Sequence, residues 1–150
     1  MTLTTYKQKR NLKKSGEPKP KIKSTKKKLI YVIQKHSASH LHYDLRLEYD
    51  GVLKSWAIPK IPPKVKGIKR LAIKVEDHPV EYAKFHGTIP EGNYGAGKVG
   101  IWDKGTYELI KKTKKEIKIK LTGKKLKGKY VLVKTHYGNK PEKSWLFMKI

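Results

Sequence analysis

Three of the six histidines fall within one stretch, KHSASHLHYDLRLEYDG, from Lys35 to Gly51. His42 and Asp44 stand two residues apart, and Arg46 and Glu48 continue at the same spacing. Neutral imidazole nitrogens and a carboxylate oxygen suit divalent transition metals such as manganese, iron or zinc. A guanidinium beside such a centre suits an anion. A strand sends successive side chains to opposite faces. His42, Asp44, Arg46 and Glu48 therefore share one face, and Tyr43, Leu45, Leu47 and Tyr49 the other. The apolar set is a core face. The polar set is either a face in water or a working one; a His-x-Asp pair alone does not decide, and Arg46 and Glu48 add weight. A third ligand comes from His36 or His40. His40 shares the parity of His42, whereas His36 precedes Ser-Ala-Ser, which can break the strand and fold His36 back toward the site.

Other stretches carry weaker signals. In VEDHPVEY, a histidine after two acids could serve as a general acid or a donor to phosphate. Local sequence favours a turn there, with His78 held extended by Pro79. GTIPEGNYGAGKVGIWD (87–103) contains Gly95-x-Gly97 but lacks the helix of a dinucleotide-binding unit, so it reads as a tight loop that brings backbone close to the site. Lys60, Lys64, Lys66, Lys69 and Arg70 surround a proline-rich connection, where one or two could reach a phosphate. Trp56, Trp102 and Trp145 sit in strand patterns and read as core. His86 and His136 belong to no constellation.

The elements that must position these groups are strands. LIYVIQ (29–34) is followed by LHYDLRLEY, the hairpin signal Asp50-Gly51, and VLKSWAIP. RLAIKVE (70–76), KVGIWD (98–103), TYELI (106–110), EIKIKL (116–121), KYVLVKT (129–135) and SWLFMKI (144–150) follow, with Lys104-Gly105 as a tight turn. Ile117, Ile119 and Leu121 alternate with lysines, which makes a half-buried strand with a basic outer face. Many short strands at close spacing, without helical periodicity, predict an all-β antiparallel barrel or sandwich.

The 150 residues carry 37 Lys+Arg against 12 Asp+Glu, a formal charge of +25. The excess sits at two flanks: residues 1–28 hold 11 basic groups and Glu17, and residues 111–129 hold 10 lysines and Glu116. Residues 29–110 are nearly balanced, with 12 basic and 9 acidic groups. Such flanks fit a polyanion and can hold a phosphate backbone without reading sequence. Residues 1–28 are expected to form a flexible basic arm, and 29–150 the folded domain. Cysteine is absent, which excludes disulfides and thiolate metal sites. The sequence shows neither an apolar leader nor an apolar run long enough to span a bilayer, so a cytoplasmic protein without a membrane partner is expected.

QKHSASHLHYDLRLEYDGVLKSWAIPK and VEDHPVEYAKFHGTIPEGNYGAGKVGIWDKG closely resemble the 3′-phosphoesterase domain found at the N-terminus of bacterial DNA ligase D and as free-standing proteins. The resemblance extends from about Tyr6 to the C-terminus. It implies a compact antiparallel β-barrel with short connecting helices or turns, and a surface groove as active site. It implies a manganese-dependent enzyme of DNA repair, with cobalt or zinc also able to fill the site. Such an enzyme removes a 3′-terminal ribonucleoside, then the 3′-phosphate, from a primer-template to leave a 3′-hydroxyl. The implied metal ligands are His36, His42 and Asp44, which demotes His40. The implied phosphate residues are Arg46, Lys60, Arg70, His78 and Tyr82, with Glu76 and Gln34 in support and Glu17 contributed by the arm. Asn11 stands where the family's arm carries aspartate. A ligase and a polymerase acting in end joining are the implied partners. The rival readings are a non-catalytic basic nucleic-acid-binding barrel and a metal-dependent endonuclease that cuts internally.

Overall fold

A computed structural model describes residues 28–150. The remainder of the basic arm, with Asn11 and Glu17, lies outside the described residues. Nine strands succeed one another: β1 (Leu29–Ser37), β2 (Leu41–Tyr49), β3 (Val52–Ile58), β4 (Lys69–Pro79), β5 (Gly87–Ile89), β6 (Gly97–Lys112), β7 (Glu116–Gly123), β8 (Lys127–Lys134) and β9 (Ser144–Lys149). Two single-turn 3₁₀ segments, Val80–Lys84 and Pro141–Lys143, connect them. Neighbours run β1-β2-β3-β4-β9-β8-β7-β6-β5, and β1 also pairs with β6. That last pairing closes β1–β4 and β6–β9 into an antiparallel barrel and leaves β5 outside the ring, paired with the start of β6. Closure removes the open edges that a flat sheet would expose. Among the described residues, no helix is long and apolar enough to cross a membrane.

Alternation builds the core. Tyr31 and Ile33 of β1, Leu45 and Leu47 of β2, Trp56 and Ile58 of β3, Ile119 and Leu121 of β7, and Tyr130 and Leu132 of β8 all point inward and are buried. Trp56 and Trp145 pack edge to face with ring centroids 6.1 Å apart, as the reading of tryptophans as core expects. The β2–β3 hairpin turns at Asp50 and Gly51, both left-handed at φ 54° and 80°. That is the requirement of a type I′ turn, and Asp-Gly meets it.

One expected turn is absent. Lys104-Gly105 lies in the middle of β6, which continues unbroken from Gly97 to Lys112. The glycine serves a different need. Gly105 pairs with Gly123 of β7, and a Cβ at 105 would come 2.1 Å from the Thr122 carbonyl oxygen. Glycine here permits two backbones to approach, which sequence alone does not separate from a turn.

β2 is buried on both faces, from Tyr43 to Glu48. The chain after β4 returns across the outside of the barrel to achieve this. Gln34 Nε2 donates to the Tyr82 and Phe85 carbonyls at 2.7 and 3.1 Å, and Leu53 packs against Tyr82 in a satellite apolar cluster. The outer face of β1–β4 is thus walled in by residues 80–96, and the polar side chains of β2 lie beneath that cover rather than in open water.

Candidate active site

β1 and β2 form a hairpin in which His36 lies opposite His42, and Gln34 opposite Asp44. β1 extends through His36 to Ser37, so His36 reaches the site from its own strand; Ser-Ala-Ser does not fold it back. His36, His42 and Asp44 each offer one ligand atom, and these atoms lie within 4.8 Å of one another. Asp44 Oδ2 is 3.2 Å from His42 Nε2 and 3.7 Å from His36 Nδ1. His40 is exposed and contributes only its carbonyl, 3.1 Å from His42 Nδ1.

The second nitrogen of each imidazole fixes what the first can do. Since a carbonyl only accepts, His42 Nδ1–H donates to His40 O, and His36 Nε2–H donates to Gly95 O at 2.7 Å. In the neutral rings, the lone pairs of His42 Nε2 and His36 Nδ1 are then turned toward the Asp44 carboxylate. Two nitrogen lone pairs and an anionic oxygen converging on one point repel unless a cation stands between them. Backbone carbonyls that hold the outer nitrogens are the usual support of metal-bound histidine. The donor set therefore fits a divalent transition metal held on one side, with further coordination positions free for oxygen ligands.

Charge around the centre follows. Burial alone would raise the Asp44 carboxyl, but Arg46, together with His36 and His42, holds it far below the usual carboxylate range. Burial pushes His42 down, while the Asp44 hydrogen bond and charge outweigh it and leave its pKa raised above 6.5.

Arg46 is the hub of the neighbouring anion site. Its Nε donates to Gln34 Oε1 at 2.6 Å, and Nη1 lies 2.9 Å from Ser55 Oγ and 3.1 Å from His78 Nδ1. Nη2 stands 3.4 Å from Asp44 Oδ2, and the guanidinium lies 4.9 Å from the Tyr82 ring centroid. Among the described residues, four partners thus hold the five-donor fork in place and take all but one Nη2 hydrogen. His78 Nδ1 lies between groups of opposite demand, the Arg46 Nη1 donor at 3.1 Å and the Glu76 carbonyl acceptor at 3.0 Å.

His78 reaches this face through a bulge. β4 continues through Asp77 and His78 to Pro79, where local sequence favoured a turn. Ser55 pairs with Val75, but Leu53 pairs with His78, so β4 carries one more residue than β3 across that interval. The extra residue puts Val75, Glu76 and His78 all on the walls of one cavity. Bulges re-aim side chains in this way.

That cavity has a volume of about 290 Å³, and its walls include His36, His42, Asp44, Arg46, His78 and Tyr82. Glu76 lines it too, while Gln34 supports it from behind through Arg46. Lys60 and Arg70 line a separate cavity of about 380 Å³ with Pro59, Lys69, Leu71, Tyr137 and Leu146, which shares no wall residue with the first. Arg70 Nε donates to Ile61 O there, at 2.8 Å. Glu48, expected near solvent or behind the site, is buried and receives the Ile30 N–H at 3.0 Å. It closes a strand end rather than facing a ligand.

Ser55 and Tyr94 are site residues that sequence reasoning did not single out. Ser55 gives no signal, because its partner is on another strand. The loop that holds Gly95 did give one: glycine-rich sequence predicts backbone close to the site, and the Gly95 carbonyl is that backbone.

The chain is an all-β barrel whose outer face carries a two-histidine, one-aspartate group able to hold a metal, beside a buried arginine. The particular family follows from comparison. The chain belongs to the family of the DNA Ligase D 3′-phosphoesterase domain, whose model matches residues 34–134. It is 44% identical, over 98% of its length, to the Multifunctional non-homologous end joining protein LigD of Pseudomonas aeruginosa. It is 46% identical over 96% of its length to the protein of that name from Mycolicibacterium smegmatis, and 48% identical over 89% to that from Mycobacterium bovis. The matched part is 18% of the first relative, 20% of the second and 18% of the third, so the chain corresponds to one domain of these larger proteins.

Proposed function

We propose that this protein is a metal-dependent phosphoesterase that heals DNA 3′ ends, removing a 3′-terminal ribonucleoside and a 3′-phosphate from a primer-template to leave a 3′-hydroxyl. The observation that carries this reading is one cavity that joins His36, His42 and Asp44 to the Arg46–His78 pair. Manganese is the proposed metal, with cobalt or zinc as chemically suitable substitutes. Bound there, a divalent ion would act as a Lewis acid on phosphate oxygen.

The chain's own groups do the rest. The remaining Arg46 Nη2 hydrogen takes a non-bridging phosphate oxygen, where charge accumulates in the transition state. Because Arg46 is already locked by Gln34 and Ser55, little reorganisation accompanies that contact. His78 donates to a phosphate oxygen or to the departing oxygen. Water adds to phosphorus in both steps; the P–O5′ bond to the terminal ribonucleoside breaks in the first and the P–O3′ bond in the second, and each departing oxygen needs a proton. Tyr82 bounds the phosphate beneath Arg46, and Glu76 lies beside His78 in the wall. Lys60 and Arg70, in the second cavity, hold the phosphates of the strand that leads to the end. Glu17 belongs to the arm and its contribution remains part of this proposal. Relatives named for non-homologous end joining support a role in that repair, with a ligase and a polymerase as partners.

The test uses manganese and two primer-templates, one ending in a single 3′-ribonucleotide and one in a 3′-phosphate. Conversion of both to 3′-hydroxyl is expected. Conversion of the second alone would restrict the activity and point to Asn11. Conversion of neither, with metal bound, would leave a non-catalytic binding barrel, and short internal fragments would indicate an endonuclease.

A further inference from the structure

The glycine-rich loop after β5 gives the site more than the Gly95 carbonyl that holds His36 Nε2–H. Tyr94, the residue before it, lines the same cavity as His36, His42 and Asp44. It is 48% exposed, whereas Tyr82, the other tyrosine in that wall, is 2% exposed. Tyr82 thus lies deep, against Arg46, and Tyr94 stands at the mouth, beside the metal group.

An exposed tyrosine alone is ordinary. This one stands on a built loop. Asn93 N–H donates to Pro90 O at 3.3 Å and Ala96 N–H to Asn93 O at 3.1 Å, so two turns follow one another. Gly95, third in the second turn, is left-handed at φ 75°, as a type II turn requires. Both glycines after Tyr94 seat the loop. A Cβ at Gly95 would stand 3.4 Å from His36 Cε1 and 4.0 Å from Ile89 Cδ1, and one at Gly97 would collide with the Ser37 carbonyl oxygen and crowd Ala38. Ile89 and Ala38 line the cavity too. Tyr94 is therefore held at a fixed place, on an apolar flank of the cavity next to the candidate ligands.

The groups already assigned leave one part of the substrate unheld. His36, His42 and Asp44 address a metal, and Arg46 and His78 address phosphate. Phosphate contacts position a strand end without touching its base. The first of the two proposed steps expels a whole ribonucleoside, so that step presents a terminal base beyond the scissile phosphate, and the second does not. Healing an end of any sequence calls for a base contact indifferent to identity. An aromatic face supplies one, because every base has a π face to lay on it.

We propose that Tyr94 stacks on the base of the 3′-terminal ribonucleoside and thereby favours the first step alone. The inference rests on the proposed end-healing activity, which supplies that ribonucleoside.

The experiment compares the unaltered chain, Tyr94→Ala and Tyr94→Phe, with manganese, on three primer-templates: one ending in a 3′-ribonucleotide, one in a 3′-ribose that lacks a base, and one in a 3′-phosphate. Tyr94→Ala should lower kcat/KM on the ribonucleotide end by roughly 5- to 150-fold, the range for loss of one stacked base. Tyr94→Phe keeps the ring and should stay within about threefold. On the base-free ribose and on the 3′-phosphate, Tyr94→Ala should stay within about twofold of the unaltered chain. An equal loss on all three ends, with manganese affinity falling in calorimetry, would overturn the proposal and leave Tyr94 as a support for Gly95 and His36. No loss on the ribonucleotide end would overturn it as well. A binding arm is independent of turnover. The terminal base is 2-aminopurine, whose fluorescence is quenched by stacking, and its nucleoside is joined through a 5′-methylenephosphonate, which cannot be cleaved at that bond. The unaltered chain and Tyr94→Phe should quench it more than Tyr94→Ala does. If the unaltered chain converts neither end while that difference holds, the activity is wrong and the stacking contact stands. If both ends are converted and the quench is equal in all three chains, the contact alone is wrong.

Discussion

His36 and His42 face each other across the β1–β2 pairing, with ring centroids 4.8 Å apart and outer nitrogens tied to the carbonyls of Gly95 and His40. Neither ring can rotate its lone pair away from Asp44 without breaking a backbone hydrogen bond. The pair is therefore organised for a cation before one arrives, and Asp44 supplies the charge that draws it. Asp44→Ala should reduce manganese affinity by more than about a hundredfold, beyond the loss usual for a supporting residue. Both end-healing activities should be lost with it, while duplex binding at low salt survives. Titration calorimetry with manganese, alongside circular dichroism to verify folding, checks this. Full activity of purified Asp44→Ala would sink the metal assignment.

Protons compete for the same nitrogens. His42 is raised above 6.5 because Asp44 outweighs the effect of burial, so in the absence of metal it charges at higher pH than a free imidazole. A metal needs the neutral ring. As pH falls through the raised pKa, manganese affinity should therefore drop by about tenfold per unit. The acid limb of the activity profile should move to lower pH as manganese concentration is increased. Asp44 remains ionised through this range, since its own carboxyl is held far lower. An acid limb that ignores metal concentration would assign the limb to another group.

His78 should separate chemistry from metal binding. Its Nδ1 lies beside Arg46 Nη1 and the Glu76 carbonyl, and it is not one of the three residues that offer ligand atoms. His78→Ala should lower kcat by roughly 10²–10⁴, the range for loss of a positioned acid or donor, with manganese affinity within about twofold of the unaltered protein. Parallel loss of metal affinity would show that His78 instead shapes the ligand set.

Much of this architecture was legible because strand parity is a local property. Tyr43, Leu45 and Leu47 against His42, Asp44 and Arg46 can be read from nine residues. The number and spacing of such strands leave barrel and sandwich open; the resemblance implies the barrel, and the β1–β6 pairing closes it. What parity does not show is that both faces are buried, because the cover comes from residues 80–96, remote in sequence. Glu48 is the consequence: its alternation marks it as outward, and outward here means enclosed. Ser55 is invisible for a related reason, since its partner Arg46 stands on the neighbouring strand. The resemblance, rather than parity, selects His36 over His40, and the register of β1 with β2 gives the physical ground.

Gly105 illustrates a local signal with the wrong cause. Lys-Gly reads as a turn, whereas the glycine removes a Cβ that would stand 2.1 Å from Thr122 O. Gly105→Ala should force β6 and β7 apart and lower stability by about 1–3 kcal/mol, the usual cost of overpacking. Thermal unfolding measures it. A turn at this position would tolerate alanine far better, so a change within about 0.5 kcal/mol would contradict the close approach.

The bulge that aims His78 has an anchor of its own. Asp77 points away from the cavity and is buried between Lys54 Nζ at 3.0 Å and Lys74 Nζ at 3.5 Å, and Lys74 lies over the Trp56 ring. Asp77 thereby pins the extra residue of β4 to β3. Burial pushes the Lys74 ammonium down, and Asp77 opposes that effect. Asp77→Asn leaves two partly buried ammoniums without their counter-charge. Removing one partner of a fully buried pair costs about 3–5 kcal/mol; these lysines are each more than a quarter exposed, so about 1–3 kcal/mol is expected. The sign of the pH dependence follows from Lys74. Without Asp77 its folded pKa falls further below 10.5, so the unfolded chain binds the proton more tightly than the folded one. Stability then rises with pH between the two values, and the deficit of Asp77→Asn should shrink as pH climbs toward 10.5. Denaturant unfolding at neutral and alkaline pH tests this. The same variant should lower kcat while manganese affinity holds, because the bulge positions His78 and not the metal ligands. Asp77→Glu, which restores the charge, should recover part of both. A deficit that stays constant with pH, or a kcat untouched by the loss of the anchor, would show that Asp77 neither governs Lys74 nor positions His78.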